Sequence, residues 1–374
     1  MEKVKVCVID GTNIAQLAKV ISEDQQFDVC IIEEHPYEGI SKIKGFAVCR
    51  DIIAYQIKKM RIYSCVIPVL GDINLTNFLV WYRLFKIKKM VYKVFDDIGV
   101  DLSSCRIYGG ITSTIMNFLP DCTEIVQLDH GVECVGRYLG EFSNDSEWKI
   151  KKRNILKYFT GFYYLRWHNV HTGYTFANCN NDWFINISYK KFRNDYFRDV
   201  ISKGSTFYEE RNVALVLLET QGGYENGMRV NGKSQYVIKL DFDRLFRSML
   251  EKLNYVDEVL VKFHPVIYME YRHEIGDVMK ILKEQCKEKN IRCLDVTEVY
   301  RDMLTAYIPA EFYINYLPIK VIVSVMSAAV LNVSSMNSSV RTICYSDFLY
   351  KLYDEYTDNI DDINQYVENV RFYG

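Results

Sequence analysis

The chain has 374 residues, 49% of them hydrophobic and 25% charged, with only 6 Pro and 19 Gly. That length exceeds what one hydrophobic core serves and points to two domains, while the composition excludes a disordered, collagen-like or Pro-rich protein. With 46 Lys and Arg against 48 Asp and Glu the net charge is −2, so no global basic field recruits nucleic acid.

From the N-terminus, residues 3–9, 29–32, 64–70, 91–94, 105–108 and 124–128 are short β-branched runs that predict strands. Amphipathic segments at 14–21, 51–60 and 112–118 lie between several of them, and such alternation predicts a parallel sheet covered on both faces. From about Phe142 the texture changes. Residues 148–159 predict a basic helix, and the aromatic, Asn-rich stretch from Trp167 to Trp183 fits an acceptor-side loop or lid. Alternation restarts with strand 213–218, helix 242–253, strand 258–263, helix 268–286 and strand 291–296. Strands 321–325 and 341–345 and a polar helical tail follow. The expected division is an N-terminal domain over 1–200, a second over 205–350 and the tail over 351–374. No internal repeat is visible.

Eleven cysteines cannot all pair, none forms a C-x-x-C, and Cys7, Cys30 and Cys65 sit inside strand-like runs. Buried thiols in a reducing compartment are the simpler reading. The N-terminus lacks the apolar core of a signal peptide, and the longest nearly apolar stretch, 321–333, is interrupted by Ser324, Ser327 and Asn332. A cytoplasmic protein is expected, attached at most peripherally at the inner face of the cell membrane.

Ligands of open α/β sheets sit outside the carboxyl ends of the strands, and four motifs fall there. Asp129-His130-Gly131 follows the strand ending at Leu128; a carboxylate there suits a general base, or simply caps the next helix, with Gly131 supplying the turn. Lys262-Phe263-His264-Pro265 ends an apolar strand, and Lys and His side by side suit a phosphate. Pro309-Ala310-Glu311 reads as the first turn of a helix, where Glu311 serves as dipole cap or ribose clamp. Ser324 and Ser327 stand where a strand runs into a helix, as an ordinary N-cap or an anion site.

In this order the four motifs resemble those of the bacterial sialyltransferase and polysialyltransferase families. The resemblance implies a GT-B fold, two Rossmann-like domains facing each other across a cleft, and CMP-sialic acid as donor. It implies that Asp129 is the catalytic base and that His264, with Pro265, contacts the donor phosphate and assists departure of the nucleotide. Glu311 would hold the ribose, and Ser327 the phosphate together with Ser324 and Lys262. Two positions depart from the family pattern: His130 replaces a second acid, and Ala328 a second hydroxyl. The implied reaction is an inverting transfer of sialic acid to a hydroxyl of a bacterial surface glycan, of lipooligosaccharide or capsule type.

No cofactor and no metal are expected. The only Asp-x-Asp, Asp241-Phe242-Asp243, opens a predicted helix as capping charge, and no His/Cys/carboxylate set has ligand spacing. Polar turns at 10–13 and 109–114 lie on the acceptor side, as helix starts or glycan contacts. Two basic, aromatic-flanked segments run from Lys86 to Lys93 and from Lys149 to Lys157; they are solvated faces or seats for an anionic glycan or anionic lipid headgroups. The alternatives are another cytidine-linked donor, CMP-Kdo or CDP-glycerol, and a catalytically silent nucleotide-binding protein.

Overall fold

A computed structural model describes residues 3–9, 27–34, 47, 50, 51, 60–68, 78–110, 113–120, 123–128, 155, 158–161, 173–175, 184–186, 195–205, 211–218, 236–240, 242–270, 272–300, 303–324, 327, 329, 330, 333, 339–344 and 367–372. The chain divides into two compact units, 1–192 and 193–374.

The first unit contains β1 (Val4–Ile9), β2 (Val29–Glu34), β3 (Arg61–Val66), helix α1 (Phe78–Ile98) and β4 (Cys105–Gly110). A 3-10 turn (Ile115–Phe118), β5 (Glu124–Leu128), β6 (Gly173–Thr175) and β7 (Phe184–Asn186) follow. The strands form one sheet in the order β3-β2-β1-β4-β5-β6-β7, every pairing parallel. Val6–Ile9 and Val29–Glu33 are buried without alternation, as expected of strands covered on both faces. Cys7 and Cys30 lie within them, Cys65 in β3 and Cys105 in β4, all buried and none in a disulfide.

Residues 91–94 are helical, which corrects the strand expected there. In α1 the buried positions Leu84, Ile87, Val91, Val94, Phe95 and Ile98 recur every three or four residues, packing the helix on the core with Ile31 and Ile107. The local Val-Tyr-Lys-Val is β-favouring, but the 3.6-residue period over 21 residues prevails. The third strand begins at Arg61, three residues earlier than predicted, because its ladder with β2 starts at Val29 opposite Arg61.

The second unit runs through α2 (Asp195–Ser205), β8 (Val213–Leu218), β9 (Tyr236–Leu240), α3 (Phe242–Lys252) and β10 (Glu258–Phe263). Next come α4 (Pro265–Glu270), α5 (Arg272–Glu288), β11 (Arg292–Asp295), α6 (Val296–Tyr300) and a 3-10 turn (Met303–Tyr307). The chain closes with α7 (Ala310–Tyr316), β12 (Ile319–Ser324), β13 (Arg341–Cys344) and β14 (Val367–Phe372). Five strands form a parallel sheet in the order β11-β10-β8-β12-β13. The sheet starts in the middle and grows one way through β10 and β11, then the other way through β12 and β13, a doubly wound, Rossmann-like order. All of β8 and β10 is buried.

Two expectations are corrected here. The single helix expected over 268–286 is two, α4 and α5, the first opening on Pro265, where a missing N–H leaves no helical bond unmade. The tail expected to be helical carries a strand: β14 pairs antiparallel with β9, whose β-branched and aromatic residues offer it a ladder partner that a polar helix would lack.

Candidate functional site

In a doubly wound sheet the crevice opens where the winding reverses, which in the second unit is between β8 and β12. Three strands end abreast there. Lys262 of β10 and Ser324 of β12 both lie in register with Leu217 of β8. Parallel partners in register share a face, so Lys262 and Ser324 belong to one side of the sheet, their Cα atoms two strand spacings or about 10 Å apart.

His264 extends the ladder one residue past β10, its N–H donating to the Leu218 carbonyl at 3.0 Å, and its side chain is exposed at the strand end. Its carbonyl accepts the N–H of Ile267 (2.9 Å), which starts α4. Tyr268 turns back beneath this corner. Its buried hydroxyl accepts the Phe263 N–H at 3.1 Å and donates to Asp295 at 2.6 Å. Burial, then the Asp295 charge, hold the phenol well above its ordinary range, so it remains a donor. Burial also raises the Asp295 carboxyl, against the bonds it accepts from Thr297 and Tyr268. The Asp295–Tyr268–Phe263 chain, absent from the sequence reading, braces the His264 turn. Its one legible signal was an acid ending the strand beside β10. An open cavity of about 570 Å³ adjoins it, lined in part by Arg272, Lys280 and Lys283, the last paired with Glu298 at 2.8 Å.

Lys262, assigned to the phosphate by sequence, is buried and donates to the Ala306 carbonyl at 3.0 Å. That bond ties β10 to the 3-10 turn leading into Pro309-Ala310-Glu311. Tyr313 pins the same turn from the other side, donating to the Thr305 carbonyl at 2.9 Å. Glu311 lies buried in the first turn of α7, and the next residue, Phe312, packs on Phe197 of α2 at 4.5 Å between ring centroids. Lys262 thus joins the second motif to the third through the backbone.

Ser324 and Ser327 shape the turn after β12. The Ser324 hydroxyl accepts the Ser327 N–H, and the Ser327 hydroxyl accepts the Ala329 N–H at 3.2 Å. Ser327 is therefore the N-cap of the helical residues that follow. Each hydroxyl accepts in these bonds and keeps its own hydrogen to give to an anion.

The first unit reverses its winding between β1 and β4. Glu33, fully buried at the end of β2, reaches across the end of β1 to the turn after β4. Its carboxylate accepts Ser113 Oγ–H (2.5 Å), Thr114 N–H (2.7 Å) and Ile115 N–H (3.2 Å). The donors of Ser113 Oγ, Thr114 and Ile115 are thus occupied from within. Gly109, in β4, is where the turn closes in: a Cβ there would meet Met116 Sδ at 2.6 Å. Asp129, His130 and Gly131, like the turn at 10–13, lie outside the described residues. Among the described residues no group of three His, Cys, Asp or Glu side chains is arranged to hold a metal ion.

No family model matches the chain, and no curated protein does. Distant likeness is found to solved structures. A glycosyltransferase from Rickettsia africae has a TM-score of 0.43 and 11% identity, over 92% of this chain and 79% of that one. The glycotransferase of kitacinnamycin follows at 0.40 and 9%, over 92% and 81%. Anabaena HepE, solved with UDP and glucose, stands at 0.38 and 8%, over 92% and 81%. With likeness this distant, the functional argument rests on the residues of this chain.

Proposed function

We propose that the protein is a glycosyltransferase of GT-B type that takes a cytidine-linked donor at the second unit. The donor sugar is sialic acid from CMP-sialic acid, and the acceptor is a glycan hydroxyl. One observation carries the reading: His264 after β10 and Ser324 at the end of β12 flank the end of β8, and Ser327 bonds back to Ser324 in the turn that follows. Two hydroxyls and an imidazole at neighbouring strand ends are the residue types that suit a phosphate. In the first unit the described turn donors after β4, of Ser113, Thr114 and Ile115, are filled by Glu33, which favours the second unit for the nucleotide.

In this reading Asp129 removes the acceptor proton as the hydroxyl oxygen attacks the anomeric carbon. The bond to the CMP oxygen breaks with inversion, and His264 stabilises or protonates the departing phosphate. Lys262 acts at one remove, fixing the turn before Glu311, which accepts from the ribose hydroxyls. General acid–base help of this kind is worth about 10²–10⁴-fold.

The test is release of CMP from CMP-sialic acid, CMP-Kdo and CDP-glycerol with mixed glycan acceptors, for wild type, His264→Ala and Asp129→Ala. Release from CMP-sialic acid, lowered at least about a hundredfold by either substitution, is the expected result. Release from another donor alone refutes the sugar assignment. Silence with all three refutes the enzyme.

A further inference from the structure

Lys86–Lys93, the first basic segment picked out in the sequence, lies on α1, and Phe159 and Gly161, just past the second, pack against that helix. Phe159 meets Trp81 of α1 edge-on at 6.2 Å between centroids, and Lys88 of α1 lies against Gly161. The buried stripe of α1 faces the core, and its opposite face is graded along the helix. Leu79, Tyr82 and Phe85 are exposed in the N-terminal half, at 70%, 66% and 49%. Arg83, Lys86, Lys89 and Lys93 are exposed beside and after them, and Asp96 and Asp97 only at the far end. Phe159 stands beside the apolar half through Trp81, and Tyr158, 84% exposed, meets Phe159 edge-on at 5.2 Å between centroids. At 100° per residue, positions 79, 82, 83, 86, 89 and 93 fall within about one third of the helix circumference.

We propose that this face seats the protein on an anionic lipid bilayer. Leu79, Tyr82, Phe85, Tyr158 and Phe159, all exposed, make a patch that a monomeric protein rarely shows without a partner. The cations beside them lie in a chain of net charge −2, so the complementary partner is a negative surface. Lys86, Lys89 and Lys93 make no ion pair among the described residues. An aliphatic tip such as Leu79 gains little from a polyanionic sugar but buries readily at the headgroup boundary, where Tyr and Trp also settle. The gradient sets the pose: the N-terminal half of α1 with Tyr158 and Phe159 enters the interface, and the Asp96–Asp97 end tilts away. The contact proposed is peripheral; no helix among the described residues is long and apolar enough to cross a membrane.

The test is co-sedimentation of the full chain with phosphatidylglycerol–phosphatidylcholine vesicles and with pure phosphatidylcholine vesicles, at low and high salt. The expected result is binding to the anionic vesicles that weakens with salt. Each lysine near such a surface contributes about fivefold, so Lys86→Ala/Lys89→Ala/Lys93→Ala lowers partitioning roughly a hundredfold. These exposed positions leave the melting temperature unchanged. Tyr158→Trp should be quenched by bromine-labelled acyl chains. Absence of vesicle binding overturns the proposal, as does binding indifferent to the triple substitution. A dimer lost in Leu79→Ser/Phe85→Ser without vesicle binding assigns the face to a second copy instead. Retention on a polysialic acid column without vesicle binding assigns it to an anionic glycan.

Discussion

Replacing Glu33 by Ala removes the single acceptor serving three donors at the end of β2. Two are main-chain amides, of Thr114 at 2.7 Å and Ile115 at 3.2 Å, and the third is the Ser113 hydroxyl at 2.5 Å. All lie in buried surroundings. A bond to a charged acceptor is worth about 1.5–3 kcal/mol, and an orphaned buried donor costs about 1–3 kcal/mol. Three such losses in one turn are not additive, since Ser113 can rotate and water can enter the space left, so about 3–5 kcal/mol is expected. For a unit of 192 residues that is a fall of roughly 6–20 °C in its thermal transition. Glu33→Gln keeps the shape but sets an amide NH₂ against one of the donors, giving an intermediate loss. Scanning calorimetry of wild type and both variants measures the effect. A loss under about 0.5 kcal/mol for Glu33→Ala would show that the carboxylate does not hold the turn, and the account of the first unit would fall with it.

Other expectations are as specific. Burial first, and the Glu33 charge second, push the Cys65 thiol up to about 12; it should resist alkylation in native protein at pH 8 and react once urea unfolds the chain. Asp295 is raised by burial, so the folded state binds its proton more tightly than the unfolded chain does. Stability therefore falls as pH rises from the ordinary carboxyl range through the folded value, and urea titrations of Asp295→Asn should lose that slope. Tyr268→Phe leaves the Phe263 N–H and one Asp295 oxygen unmet and should cost about 1–3 kcal/mol in the same titrations. His264→Ala keeps the backbone bond to Leu218, so its melting temperature should stay near wild type while turnover collapses; a large drop in melting temperature would make His264 structural.

The parallel cores are legible because their strands are short runs rich in β-branched and apolar residues: 213–218, 258–263 and 124–128 match the expected bounds to the residue. The strand expected at 91–94 fails because the helical period of the surrounding 21 residues outweighs a short β-branched run. Ser324 and Ser327 could be picked out as hydroxyls at a strand end, and a bond to the next turn is what such residues do by default. The aim of Lys262 could not be read, since whether a strand-end lysine faces a ligand or a carbonyl such as that of Ala306 depends on a turn some 40 residues on. Glu33 and Asp295 were missed for the same reason. Each bridges elements far apart in sequence, 80 residues in the case of Glu33 and Ser113, and no local pattern marks such a bond.

The most direct test of the central claim is a calorimetric titration of the protein with CMP. The strand ends of the second unit predict one site per chain, weakened at least about tenfold by His264→Ala and by Ser324→Ala/Ser327→Ala. Glu33→Gln and Lys89→Ala should leave it unchanged. No heat with CMP, or a site indifferent to His264 and both serines, would contradict the claim that the winding reversal between β8 and β12 binds the nucleotide.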